Sequence, residues 1–257
     1  MIDKPFPAER TAILTGAASE RGIGRATAEL LASQGWAIAI IDLHEAGCRE
    51  AAAAVAANYG VPALGIAADV TDQVAIDEAI TKIEAELPPA VALVNLAGVS
   101  SPTAFMDETV AGWEHVFKVN VTGAFIVCQR VLGGMVERGL GRIVCLSSIS
   151  AQRGGGTYSK SAYSASKAAL IGMVRSIARE LGQYGITANC VAPGAVDTDI
   201  MGGPLSGERK ARMAEGILVG RIGHASEVAG LIAFLIGDKA GYISAATYDI
   251  NGGLQIS

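Results

Sequence analysis

Tyr163 and Lys167 stand four residues apart in Tyr163-Ser164-Ala165-Ser166-Lys167, a spacing that brings both side chains out on one face of a helix. A free phenol has a pKa of about 10 and is a poor base at neutral pH. An ammonium one turn away favours the phenolate, so the pair is a candidate proton-transfer unit. A second cluster, Thr15-Gly16-Ala17-Ala18-Ser19-Glu20-Arg21-Gly22-Ile23-Gly24, lies between an apolar run and the start of a helical pattern. Glycines at such a place let backbone N–H groups approach a pyrophosphate on the positive end of the helix dipole. Asp42 ends the next apolar run, 18 residues after Gly24. A carboxylate there can accept two hydrogen bonds from an adenosine ribose and would repel a 2′-phosphate. Taken singly, each feature has an ordinary alternative: an exposed Tyr–Lys contact, a tight turn, a helix cap.

These residues need elements that hold them. Thr11–Thr15, Trp36–Ile41, Ala63–Ala68, Ala90–Asn95, Arg142–Leu146, Thr187–Val191 and Thr247–Ile250 read as strands. Several are apolar without alternation, the pattern of strands buried on both faces in parallel sheets. Helical periodicity fills the gaps over Ile23–Gln34, Glu45–Asn58, Gln73–Leu87, Asp107–Arg138, Ser161–Gly182 and Ser226–Ile236. Parallel strands need such crossovers. The expected fold is α/β, a doubly wound parallel sheet of about seven strands with helices on both faces. The alternation shows no linker, so residues 1–257 read as a single domain. The polar, glycine-rich stretch Pro193–Gly223 reads as a loop, with a substrate loop over about 197–223.

Composition removes several function classes. Of 257 residues, 51% are hydrophobic and 18% charged, the reverse of a disordered chain. The net charge of −5 lacks the basic footprint of a nucleic-acid binder, and 5% aromatic residues offer little base-stacking surface. Cys48, Cys128, Cys145 and Cys190 form no C-x-x-C pair, and His44, His115 and His224 are scattered, so no metal site is expected. The first residues carry no apolar stretch of signal-peptide length. No uninterrupted run of 18 apolar residues occurs, so no membrane association is expected and the cytoplasm is the expected compartment.

Taken together, the motifs resemble those of the short-chain dehydrogenase/reductase family over nearly the whole chain. The matching pieces are Thr15-Gly16 to Gly24, Asp69-Val70, Asn95-Leu96-Ala97-Gly98, Asn120, Ser147-Ser148, Tyr163-x-x-x-Lys167, and Pro193-Gly194 with Thr198. The resemblance implies a Rossmann-type fold, NAD or NADP as cofactor, and hydride transfer between a secondary alcohol and a ketone. It makes Tyr163 the general acid/base and gives Lys167 two tasks, lowering the phenol's pKa and holding the nicotinamide ribose. A serine of Ser147-Ser148-Ile149-Ser150 would bond the substrate oxygen, and Asn120 would break the long helix and hold a proton-relaying water. Lys118-Val119-Asn120-Val121-Thr122-Gly123 is a weak helix former, suited to a bulge. The cofactor would be met by Gly16, Arg21, Gly22, Ile23 and Gly24, by Asp42, by Asp69 and Val70, by Asn95, Ala97 and Gly98, and by Pro193, Gly194, Val196 and Thr198. The Ala- and Ser-rich stretch Ser161–Gly182 would allow a close two-fold helix interface, and the resemblance implies a homotetramer of D2 symmetry.

Three positions depart from the family pattern. The glycine-rich loop is two residues longer between Gly16 and Gly22, and Leu96 stands where a second Asn is common. The third is the serine. Ser150 lies 13 residues before Tyr163, the usual family distance, but Ser148 directly follows the strand end. The glycines of Ala151–Ser161 can absorb an insertion at small entropic cost, so Ser148 is the expected catalytic serine. Asp42 favours NAD, whereas Arg21 could grip a 2′-phosphate. Gln152 and Arg153 could face a small polar substrate such as a polyol, sugar or hydroxy acid. The alternatives are an NADPH-dependent 3-oxoacyl thioester reductase and a non-catalytic dinucleotide sensor.

Overall fold

A computed structural model describes residues 4–156, 158–201, 203 and 206–256. Residues 202, 204 and 205 of the expected substrate loop, Thr157 and both extreme termini lie outside the described residues.

Seven strands form one parallel sheet in the order β3-β2-β1-β4-β5-β6-β7. They are β1 (Thr11–Thr15), β2 (Ala37–Asp42), β3 (Ala63–Ala67), β4 (Ala90–Asn95), β5 (Gly141–Leu146), β6 (Ile186–Pro193) and β7 (Thr247–Ile250). Alternate residues of a strand point to opposite faces. Ala12 and Leu14 therefore join one core while Ile13 joins the other. The first core is closed by α1 (Ile23–Ser33), α2 (Glu45–Tyr59) and α9 (Ala225–Ile236) through Leu31, Val55 and Ile232. The second is closed by α3 (Gln73–Glu86), α5 (Ala124–Arg138) and α7 (Ser161–Leu181) through Ile80, Val131 and Val174. The continuous apolar runs are explained by this double burial: all residues of β1, β4 and β6 are buried.

The long helical region differs from its expected form at its start and in its middle. It begins at Val110 rather than Asp107, because the Thr109 side chain caps it by accepting from the Gly112 N–H at 3.0 Å. After α4 (Val110–Phe117) it widens into a π-helical turn, Lys118–Gly123, before resuming as α5. Val110–Arg138 is long and apolar enough by composition to cross a membrane. Its apolar face is spent on the core instead, where Val127, Cys128, Val131 and Met135 are buried.

Two short helices arise where loops were expected. Ser150–Arg153 forms α6 and Gly207–Ala214 forms α8. None of the side chains of α8 is buried, so no apolar face marked it in the sequence, and it starts at a Ser206 cap that accepts from Arg209 N–H.

Candidate active site

Most of the residues expected to act lie at the carboxyl ends of the strands or just beyond them. The order reverses between β1 and β4, the switch point at which open α/β sheets bind ligands. Gly16 leaves β1 with φ 67°, and a Cβ on it would lie 2.8 Å from the Ala97 backbone. The Thr15 hydroxyl donates to Asn95 Oδ1 at 2.8 Å and accepts from the N–H groups of Leu96 and Ala97. Asn95 Nδ2 continues to the Ala124 carbonyl. The ends of β1 and β4 are thus stitched together under the glycine-rich loop. Thr15 supplies three of these bonds, a role its place in the motif did not announce.

Gly22 is the N-cap of α1, and no side chain caps that end, nor does an acidic residue stand in its first turn. The leading N–H groups of α1 are therefore left for an anion, as a pyrophosphate site requires. Gly24 packs so tightly that a Cβ would sit 2.6 Å from Ala17 Cα and 2.7 Å from the Gly16 carbonyl oxygen. Gly24→Ala is expected to cost about 1–3 kcal/mol by overpacking and to weaken dinucleotide binding. Urea denaturation and nicotinamide fluorescence check this, and a variant matching the parent in both would remove Gly24 from the cradle.

Asp42 ends β2, and its carboxylate accepts from Ala18 N–H at 3.0 Å and from Leu43 N–H at 2.8 Å. The loop therefore lies directly against the carboxylate read as the ribose ligand. Asp69 is exposed and holds a turn through Thr71 N–H, while buried Val70 packs where Gly123 leaves no room for a side chain. Pro193 and Gly194 bond Ile149 and Ile250 through their backbones, Val196 bridges to Gly223, and Thr198 is buried. Arg21 faces the other way, toward Asp197 and Asp199.

Tyr163 and Lys167 share one face of α7, with Lys167 Nζ 5.6 Å from the Tyr163 ring centre. Ser148 lies close enough to the Tyr163 phenol to act on its pKa. Ser150 does otherwise: its hydroxyl pairs with Ser159 at 3.0 Å, and its N–H donates to Ser148 Oγ at 3.1 Å. Ser147 turns away and donates to the Lys167 carbonyl at 2.9 Å. Burial pushes the Tyr163 phenol above its ordinary value, and Ser148 pulls it back down. Lys167 does not figure among the groups that lower it, unlike the expectation. Its ammonium is itself buried, donates to the Leu146 carbonyl at 2.7 Å, and is brought down to about 8 by desolvation.

Asn120 sits inside the π-helical turn and is fully buried. The extra residue of the turn rolls its amide inward. Oδ1 accepts from Val99 N–H at 2.8 Å, and Nδ2 donates to the Val99 carbonyl and to Ser166 Oγ, both at 3.0 Å. Ser166 in turn donates to the Tyr163 carbonyl at 2.7 Å. Asn120 Oδ1 and Lys167 Nζ meet over Gly98, at 3.0 and 3.5 Å from where its Cβ would be. The sequence treated Ser166 as a spacer. Its place three residues after the tyrosine on a helix is the only signal that pointed to it.

Gln152 and Arg153 are engaged by the C-terminal segment. Because α6 turns them toward the C-terminal segment, Gln152 donates to Asp249 at 3.0 Å and Arg153 to the Leu254 carbonyl at 3.2 Å.

A family model described as Enoyl-(Acyl carrier protein) reductase matches residues 16–255. An uncharacterized short-chain type dehydrogenase/reductase of Sinorhizobium fredii is 40% identical over 247 residues, covering 96% of this chain and 98% of that one. The 3-oxoacyl-[acyl-carrier-protein] reductase FabG of Aquifex aeolicus is 37% identical, covering 95% and 97% of the two chains. The crystal structure of levodione reductase superposes with a TM-score of 0.87 at 30% identity, covering 95% of this chain and 96% of that one. The chain belongs to the short-chain dehydrogenase/reductase family, whose oxidoreductases use NAD or NADP.

Proposed function

We propose that this oxidoreductase interconverts a secondary alcohol and a ketone, with Tyr163 as general acid/base, Ser148 as second donor to the substrate oxygen, and Lys167 and Asn120 behind them. The observation that carries the reading is the grouping of Tyr163 with the buried Lys167 ammonium, 5.6 Å from its ring centre, and with Ser148, which acts on the phenol. Gly16, Gly22, Ile23 and Gly24 would take the pyrophosphate, Asp42 the adenosine ribose, and Lys167 the nicotinamide ribose. The nicotinamide, when bound, gives or takes the hydride. Reduction builds charge on the substrate oxygen, and Ser148 and Tyr163 stabilise it as donors. Burial keeps the Tyr163 proton on at neutral pH, so it is available to the new alkoxide. In oxidation the phenolate must form first, and Ser148 favours it.

NAD is proposed over NADP because the Asp42 carboxylate would face a 2′-phosphate. Asp42→Ala is expected to narrow the preference, read as the ratio of kcat/KM values with the two dinucleotides. A parent enzyme that is faster with NADP overturns this assignment. A panel of alcohols and ketones followed by nicotinamide absorbance, with both cofactors, tests the reaction itself. The panel should include a 3-oxoacyl thioester, because several relatives are named as reductases of that substrate. Turnover of the thioester with NADPH alone would make that second reading the correct one. Absence of any turnover alongside tight dinucleotide binding would leave the sensor. A cytoplasmic homotetramer is the assembly proposed, which would cover the exposed Phe105, Met106, Val110 and Phe125 around α4 and α5.

A further inference from the structure

The two extra residues of the glycine-rich loop have no role in the reaction described above, yet they belong to the segment that makes the longest-range polar contacts of the site. Arg21 Nη2 lies 2.7 Å from Asp197 Oδ1, and its Nε lies 3.4 Å from Asp199 Oδ1. The Ser19 hydroxyl donates to Asp199 Oδ2 at 2.9 Å. Lys210 on α8 lies 2.6 Å from the second oxygen of Asp197. Asp197 is the most enclosed member, its side chain 17% exposed, and it is shared between two cations. A network of this kind is worth more than an isolated surface pair.

The same loop faces the adenosine end through Ala18, whose N–H is bonded to Asp42. Arg21 is the only cation between Gly16 and Gly24. Its guanidinium could serve a phosphate beside Asp42 or the carboxylates after β6, but not both at once, because its fork of donors is planar and directional. We propose that Asp197 and Asp199 are specificity-determining residues for the cofactor: by holding Arg21 against the substrate side they withdraw it from a 2′-phosphate. Discrimination against NADP then has two parts. Asp42 repels the phosphate, and the acids after β6 remove the cation that could offset that repulsion. This rests on the NAD(P)-dependent reading above.

The test is equilibrium binding of NADH and NADPH by nicotinamide fluorescence, without turnover. Both dinucleotides share the pyrophosphate, so the ratio of their affinities isolates the 2′-phosphate. In Asp197→Asn/Asp199→Asn the amides keep the shape and lose the charge. The NADPH-to-NADH affinity ratio is expected to rise roughly tenfold, the scale of one charge-assisted hydrogen bond. Adding Arg21→Ala is expected to return the ratio to the parent value. Asp199→Asn alone, the milder change, should give a smaller rise in the same direction. A ratio that stays at the parent value in the single and double variants overturns the proposal. So does a rise that persists without Arg21, since that gain would be loss of through-space repulsion. Failure of both dinucleotides to bind the unaltered chain would overturn the oxidoreductase reading itself, before any variant is made.

Discussion

Tyr163→Phe is expected to lose roughly 10²–10⁴ of kcat, the usual contribution of a positioned acid/base, while NADH still binds. The ring is retained, so its packing on α7 survives, and Lys167 keeps its bond to the Leu146 carbonyl. What disappears is the phenolic hydroxyl with its proton, on which Ser148 acts. Nicotinamide fluorescence titration should give a dissociation constant near that of the parent, separating chemistry from binding. The pH profile sharpens the result. In the parent, the limb for reduction should fall only at alkaline pH, because burial raises the phenol. That limb should vanish in the variant. A kcat near the parental value would take Tyr163 out of the chemistry.

The second large effect separates two serines. Ser148→Ala should cost about 10²–10³ in kcat, the range found when one preorganised donor to a developing oxyanion is removed. Ser150→Ala should be far milder. Its hydroxyl is engaged with Ser159, and its main contact with the site is a backbone N–H that donates to Ser148. A measurable loss in Ser150→Ala is still expected through looser placement of Ser148, and it should appear in KM more than kcat. Equal losses in kcat, or the reverse order, would reassign the serine.

Strand positions were legible because double burial leaves an unmistakable apolar run, and β1, β4 and β5 are found within one residue of their expected limits. The π-helical turn was legible for a different reason. Val119, Val121 and Thr122 resist α-helix, and Asn120 among them had no apolar partner to seek. The helices α6 and α8 were hidden. The first is a single turn, and the second buries no side chain that could set a period. Long-range polar contacts were not legible at all. Arg21 and Asp197 are 176 residues apart, and nothing in local spacing says that one will meet the other. For the same reason Gln152 and Arg153 looked like substrate contacts. Their partners are Asp249 and Leu254, a strand and a tail that only the folded sheet brings near.

The double burial of the sheet has a consequence for the thiols. All four cysteines are reduced and buried. Cys145 and Cys190 are paired in register on β5 and β6, beneath Lys167, and Cys128 reaches them from α5. Burial holds Cys190 up at about 12 and Cys48 at about 11. A thiol that is both shielded and protonated does not react with disulfide reagents or alkylating agents. Labelling therefore waits on opening of the chain, and each cysteine becomes a clock for its own part of the molecule. Cys48 times the release of α2 from the rim of the sheet. Cys145 and Cys190 time the parting of β5 from β6, with Lys167 above them, and Cys128 times the release of α5.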